Sequence, residues 1–313
     1  MTIQTKDPLL ARIGNTPLVE IPAMSPKPTV RFFAKLEWFN PTGSVKDRIA
    51  WFMLEEAERE GRIKPGMTVL EATTGNTGIA LAMAARRKGY AVRVVVPDNA
   101  MPEIRELLEA HGATVTWGPP DLGTRGAVSM AKELASSGDY FLTDQFGNPA
   151  NVQAHYSTTG AEVLEAMPDV DVFVSGMGTG GTITGVGRRL REANPAVKLV
   201  AVEPHPGDRV QGLKTLQDGF IPPILDLSQL DGKVLVRAKD AFFWTRELAR
   251  REGLFGGLSS GAVIYGALKW AQRMEQGNVV LLFADAGWKY LSTGLWRDLT
   301  RDDHEGLDET VWW

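Results

Sequence analysis

The stretch VDVFVSGMGTGGTITGVGRRL (residues 170–190) holds the reading on which the fold turns. It opens with a near-continuous apolar run, as expected of a strand buried on both faces, crosses a glycine-rich loop and goes on with helical spacing. The same rhythm runs outward in both directions. MTVLEA, AVRVVVP, ATVTWG, YFLTD, VKLVAVEP and NVVLLFADAG read as further strands. TGIALAMAARRKGY, MPEIRELLEAHG, TRGAVSMAKELASS, TTGAEVLEAM and AFFWTRELARREG read as helices between them. Repeated βα units predict parallel sheets with helices on both sides. The Gly, Pro and Asn of DQFGNPANVQAHY (144–156) interrupt the rhythm and predict a boundary near residue 146 between two doubly wound α/β domains. Residues 1–40 are expected to pack on the larger domain, 41–146 to form a smaller mobile domain, 147–300 the larger one, and 301–313 a tail ending in Trp312 and Trp313.

At 313 residues the chain can build a substantial core. Its 34 Lys and Arg against 38 Asp and Glu give a net charge of -4, and no strongly basic run occurs. That balance predicts a small-molecule substrate, with neither nucleic acid nor membrane as partner. The absence of cysteine excludes disulfides, thiolate metal sites and a cysteine nucleophile. It also fits a reducing compartment. The first residues lack the basic region and apolar core of a signal peptide, so a cytoplasmic protein is expected. His111, His155, His205 and His304 show no metal-ligand spacing, and His155 is read as hydrogen-bonding locally in a loop. Neither a GxSxG elbow nor a Walker A motif is present.

Three polar loops stand where helices are predicted to start. In SGMGTGGTITG (175–185), Gly178, Gly180 and Gly181 leave the backbone free to approach a ligand, and Thr179 and Thr182 add hydroxyls. Exposed N–H groups at a helix start suit a phosphate. The same letters satisfy GxGxxG, with Glu203 where a ribose-binding acid belongs, so a dinucleotide site and a plain tight turn stand beside the phosphate reading. In EATTGNTGIALAMA (71–84), Thr73, Thr74, Asn76 and Thr77 surround Gly75 and could grip a carboxylate, or simply cap the helix. In NPTGSVKDRIAWF (40–52), Lys46 falls at the helix start. Most lysines are solvated surface charges, but one here opposes the helix dipole, which lowers its pKa as imine chemistry requires. A lysine imine beside a phosphate cradle points to pyridoxal phosphate.

Taken in order, NPTGSVKDR, TTGNTG, GTGGT, LFGGLSSGAV and ADAGWKYLSTG resemble the fold-type II pyridoxal-phosphate β-family, and within it the cysteine synthases, or O-acetylserine sulfhydrylases. The resemblance runs from IGNTPLV (13–19) to YLSTG (290–294). It implies pyridoxal 5'-phosphate as cofactor, bound as an imine by Lys46, which then serves as acid and base at the substrate α-carbon. It makes Gly178, Thr179, Gly180, Gly181 and Thr182 the phosphate loop, Asn76 the partner of the pyridoxal 3'-oxygen, and Ser259 the residue facing the pyridine nitrogen. Thr73, Thr74, Gly75, Thr77 and Gln145 would bind the substrate carboxylate. The implied reaction is β-replacement on an O-activated L-serine through an α-aminoacrylate, giving L-cysteine.

ADAGWKYLSTG and the aromatic C-terminus look like the B-type branch. That resemblance implies O-phosphoserine as well as O-acetylserine as candidate substrates, with Lys214 standing where an arginine would read the phosphate. It also implies sulfide, thiosulfate or the thiocarboxylate of a ubiquitin-like sulfur-carrier protein as donor, a homodimer, and a tail able to enter the site or contact the dimer partner. The rivals are a short cystathionine β-synthase and a serine or threonine dehydratase. From other classes come an idle binding partner and a nicotinamide-dependent oxidoreductase.

Overall fold

The computed structural model describes residues 5–97, 102–120, 122–294 and 296, so the predicted tail with Trp312 and Trp313 lies outside the described residues. Two sheets organise the chain. The six-stranded sheet has the order β1 (Leu18–Glu20), β2 (Val30–Leu36), β10 (Gly277–Phe283), β7 (Val172–Gly176), β8 (Lys198–Pro204) and β9 (Gly232–Val236). The four-stranded sheet has the order β5 (Thr114–Trp117), β4 (Ala91–Val96), β3 (Thr68–Ala72) and β6 (Tyr140–Leu142). Every pairing is parallel except that of β1 with β2. The predicted α/β class with parallel sheets is the one observed.

Three strands and two helices escaped the sequence reading. β1 and β9 are short sheet-edge strands with partly exposed residues, and β2 is interrupted by Arg31 and Lys35, which weakens its apolar signature. The stretch read as a break contains α5 (Pro149–Ser157). There Asn148 accepts a hydrogen bond from the Ala150 amide through its side chain, and Pro149 takes the first helical position. The Asn-Pro pair is thus a helix start and not a breaker. His155 accordingly sits on a buried helix, not in a loop. α9 (Leu258–Ala271) is buried almost throughout, so its sequence is apolar on all sides and shows little periodicity.

The remaining helices are α1 (Lys46–Arg59), α2 (Asn76–Arg87), α3 (Pro102–Ala110), α4 (Gly123–Ala135), α6 (Thr159–Ala166), α7 (Gly181–Ala193) and α8 (Ala238–Glu252). One apolar core runs through α1 and α2 and takes in residues of both sheets, including Val69 and Val94 from one, Val200 and Leu281 from the other. The alanines of α2 allow close packing: every residue from 77 to 85 on it is buried.

Arg48, the third residue of α1, is fully buried. Its guanidinium makes two bidentate pairs, with Glu37 at 2.7 and 2.8 Å and with Glu162 at 2.6 and 2.8 Å. Lys35 adds a second cation on Glu162 at 2.7 Å, and the Thr16 hydroxyl donates to Glu37 at 2.7 Å. Two cations and two anions from α1, β2, the turn after β2 and α6 thus cancel inside the protein. Burial opposes ionisation of Glu162, but Arg48 and Lys35 hold its carboxyl well below the usual range. Replacing Arg48 by Met leaves two buried carboxylates short of a partner, and denaturant unfolding should report a loss of about 3–5 kcal/mol.

Candidate active site

The carboxyl ends of β3, β6, β7, β8 and β10 open on a cleft of about 1210 Å³. Ligands of open α/β sheets are expected at this end of the strands. Of the residues singled out in the sequence, Lys46, Thr73, Thr74, Gly75, Asn76, Thr77, Gln145, Gly178, Thr179, Gly180, Thr182, Lys214 and Ser259 line it. Gly181 lies just behind, as the first residue of α7. Ser260, the alternative to Ser259, is buried away from the cleft.

Lys46 opens α1 as expected from its sequence position. The loop before it is pinned to the larger sheet, since the Val45 amide donates to the Ala284 carbonyl at 2.8 Å and Ser44 bridges Asp285. Asp47 holds the turn from the other side, accepting the Thr42 amide at 2.7 Å and the Thr42 hydroxyl. Burial pushes the Lys46 amine below its ordinary pKa, while Asp285 and Glu37 pull against that shift. Desolvation, rather than the helix dipole invoked from sequence, is the leading cause. The result is the same: an amine more readily neutral than a surface lysine.

The hydroxyls of the 73–77 loop do not cap α2, whose first position follows Gly75 with no side-chain cap. The Thr77 hydroxyl instead donates to Gln145 Oε1 at 2.7 Å, joining the loop after β3 to that after β6. Gln145 Nε2 reaches the Ala72 carbonyl at 3.3 Å. Thr74 and Asn76 are partly open to the cleft.

In the glycine loop, Gly180 has φ +82°, and a Cβ there would come within 2.7 Å of Leu225. A Cβ on Gly181 would lie 2.0 Å from Asn151 Oδ1. The N-cap of α7, Gly180, has no side chain; the Thr179 hydroxyl accepts the Gly181 amide at 3.3 Å, and Thr179 and Thr182 line the cleft beside this N-terminus. Thr182 is held from behind by His155, whose Nε2 lies 3.1 Å from its hydroxyl and whose Nδ1 meets Thr159 at 3.0 Å. Burial drives the His155 pKa well down, so the ring is a neutral strut. Glu203, the acid required by a dinucleotide site, is spent elsewhere: it accepts the Leu216 amide at 2.7 Å and pairs with Lys233 at 2.7 Å.

Sequence reasoning passed over the group after β10. Asp285 is buried and accepts from Asn76 Nδ2 and from the Tyr290 hydroxyl, both at 2.5 Å, while Lys289 donates to Asn76 Oδ1 at 2.6 Å. Both ends of the Asn76 amide are therefore fixed. Burial raises the Asp285 carboxyl pKa against the pull of Lys289, Tyr290, Asn76 and Lys46. The available signal was an Asp and a Lys four residues apart at the end of a buried strand.

A family model described as pyridoxal-phosphate dependent enzyme matches residues 9–285. The chain belongs to this family. This pyridoxal-phosphate-dependent enzyme is 44% identical over 284 residues to cysteine synthase B of Escherichia coli (strain K12), covering 90% of this chain and 94% of the relative. A solved cysteine synthase from Entamoeba histolytica superposes with TM-score 0.87 at 35% identity, covering 97% of this chain and 96% of that one. A solved O-ureido-L-serine synthase does so with TM-score 0.88 at 38%, covering 96% and 98%.

The cleft fits the cofactor. A helix N-terminus with two hydroxyls beside it suits its phosphate, and a neutral serine from α9 and an amine of lowered pKa from α1 line the same cleft. Gly181→Ala should push Asn151 out of place and weaken binding of pyridoxal phosphate to the apoenzyme by about tenfold or more, or about 1.4 kcal/mol. Quenching of tryptophan fluorescence on titration would measure it.

Proposed function

We propose that this enzyme replaces the O-acetyl or O-phospho group of an activated L-serine by a sulfur nucleophile, giving L-cysteine. The observation that carries the reading is Lys46, a desolvated amine lining one cleft with a glycine-rich helix start and a loop pair rich in neutral hydrogen-bond donors. Relatives described as cysteine synthases support it.

Pyridoxal phosphate, when bound, withdraws electrons from the substrate α-carbon. Residues 178–182 would hold its phosphate, Asn76 its 3'-oxygen and Ser259 its ring nitrogen. A neutral hydroxyl at that nitrogen favours β-elimination over chemistry needing a full carbanion. Thr73, Thr74, Thr77 and Gln145 would grip the substrate carboxylate with neutral donors and the N-terminus of α2. Lys46 would take the α-proton as its amine becomes an ammonium, and the β-substituent would leave as acetate or phosphate with its bonding pair. A C–S bond then forms at the β-carbon, and Lys46 returns its proton to the α-carbon. Closure of a mobile domain made by residues 41–146 over the carboxylate would exclude water between the halves.

Lys214 supports O-phosphoserine as the substrate. It lines the cleft, its amide anchored on the Met177 carbonyl at 2.7 Å and its ammonium 5.3 Å from the Phe146 ring centre. A lysine there binds phosphate as a point charge, without the bidentate fork of arginine. A homodimer and delivery of sulfur by a small carrier protein complete the proposal. A second reading keeps the first half-reaction and changes the nucleophile; the likeness to an O-ureido-L-serine synthase favours it.

Holoenzyme mixed with O-phosphoserine or O-acetylserine, without a sulfur source, should change its visible spectrum, and sulfide should then yield cysteine. Lys46→Ala should do neither, and borohydride should link the cofactor to Lys46 alone, as read by peptide mass spectrometry. A protein that stays colourless with added pyridoxal phosphate would sink the assignment. Lys214→Ala should cost about 1.5–3 kcal/mol in kcat/KM for O-phosphoserine, roughly 10- to 150-fold, and leave O-acetylserine nearly unaffected.

A further inference from the structure

Glu71, near the end of β3, is a buried carboxyl with no part in the chemistry above. Its Oε2 accepts the Thr143 hydroxyl at 2.5 Å and the Gln145 amide at 3.1 Å, and its Oε1 accepts the Ala72 amide at 3.0 Å. Thr143 and Gln145 flank Asp144, which has φ +49°, a left-handed conformation uncommon outside glycine and tolerated best by Asn and Asp. The carboxylate therefore straddles the left-handed residue and holds the chain on both sides of it.

On its far side this crossover is tied to the larger sheet. Asn151 Nδ2, on α5, donates to the Gln145 carbonyl at 2.8 Å and to the Thr179 hydroxyl at 3.1 Å. Gln145 is thus fixed through its amide by Glu71, through its carbonyl by Asn151 and through its side chain by Thr77 and Ala72.

We infer that Glu71 is a positioning residue for the substrate carboxylate, its ionised carboxylate clamping the left-handed crossover that presents Gln145 beside the 73–77 loop. The inference rests on the proposed reading that these loops bind that carboxylate. All three groups bonded to Glu71 donate to it. On protonation, Thr143 can turn its hydroxyl to the Leu70 carbonyl, 3.3 Å away, and receive the new proton. The Gln145 amide is then left facing a neutral hydroxyl oxygen in place of a carboxylate, and the charge-assisted bond is lost.

Burial pushes the Glu71 carboxyl up to about 7, against the pull of Thr143, Gln145 and Ala72, while the facing carboxylate of Asp144 pushes it further. The clamp therefore loosens within the neutral range. Its effect on stability has the opposite sign. The folded state binds the proton more tightly than the unfolded one, so the stability from this group is full below 4.5 and is lost as pH rises through about 7. The ionised clamp is maintained at the expense of stability.

The test uses holoenzyme and L-serine, with binding read from the visible band of the cofactor between about one unit below and one unit above that midpoint. Wild-type affinity should fall by up to about tenfold per pH unit on the acid side, beyond the contribution of the amino group of serine itself. Glu71→Gln should hold the weak, acid-side affinity across the range and raise KM for the activated serine more than it lowers kcat. Glu71→Asp, which keeps a carboxylate, should keep a pH dependence. Thr143→Val removes a donor that favours ionisation and should move the midpoint upward, which covers the case of a Glu71 variant that does not fold. Glu71→Gln with wild-type affinity and pH profile, or Thr143→Val with an unmoved midpoint, would overturn the inference. If Gln145→Ala and Thr74→Ala both bind L-serine as tightly as wild type, the carboxylate reading itself fails, whatever Glu71 does.

Discussion

Everything in the cleft depends on where α1 begins, and that is fixed by the buried ion cluster around Arg48. Taking four charges out of water is costly, and the cost is recovered only if every donor and acceptor meets its partner in good geometry. The bidentate pairs of Arg48 with Glu37 and Glu162 meet that demand. An apolar contact would tolerate sliding or rotation of the helix; a planar guanidinium held by two carboxylates does not. Lys46, half a turn earlier on α1, inherits that rigidity.

A second theme is the number of helix starts that meet at one place. α1, α2, α7 and α9 all begin at the cleft, and their partial positive charges add there. Such a field welcomes a phosphate and a carboxylate and discourages a protonated amine. The neutral polar groups around the cleft fit this arrangement. Thr, Asn, Gln and Ser provide hydrogen bonds without adding charge, and the buried carboxyls nearby, Asp47, Glu71 and Asp285, all have their ionisation opposed by burial.

The sequence made visible whatever depended on local chain geometry. Gly180 and Gly181 announced a tight loop, and each proves to occupy a position where a side chain would strain or collide. Lys46 stood out because it sits on a turn-to-helix junction. Segments whose surroundings are apolar or polar on all sides were hidden, because periodicity records only a boundary between core and solvent. α9 is buried along most of its length, and α5 buries Asn151 and His155 among its packing residues. The supporting carboxyls were hidden for another reason. Glu71 pairs with residues more than seventy positions away, and Asp285 with Asn76 more than two hundred away, distances at which spacing carries no message.

The short antiparallel strand β1 has a consequence of another kind. It covers the outer edge of β2, where Leu18 to Glu20 pair with Lys35 to Phe33, and β2 is a seven-residue strand with six buried residues. An uncovered edge of that length is a template for pairing with other chains. Those three residues, which add little to the core, therefore act as a guard against aggregation. With β1 in place the sheet ends in a strand of three residues, which offers far fewer free backbone groups than the edge of β2 would.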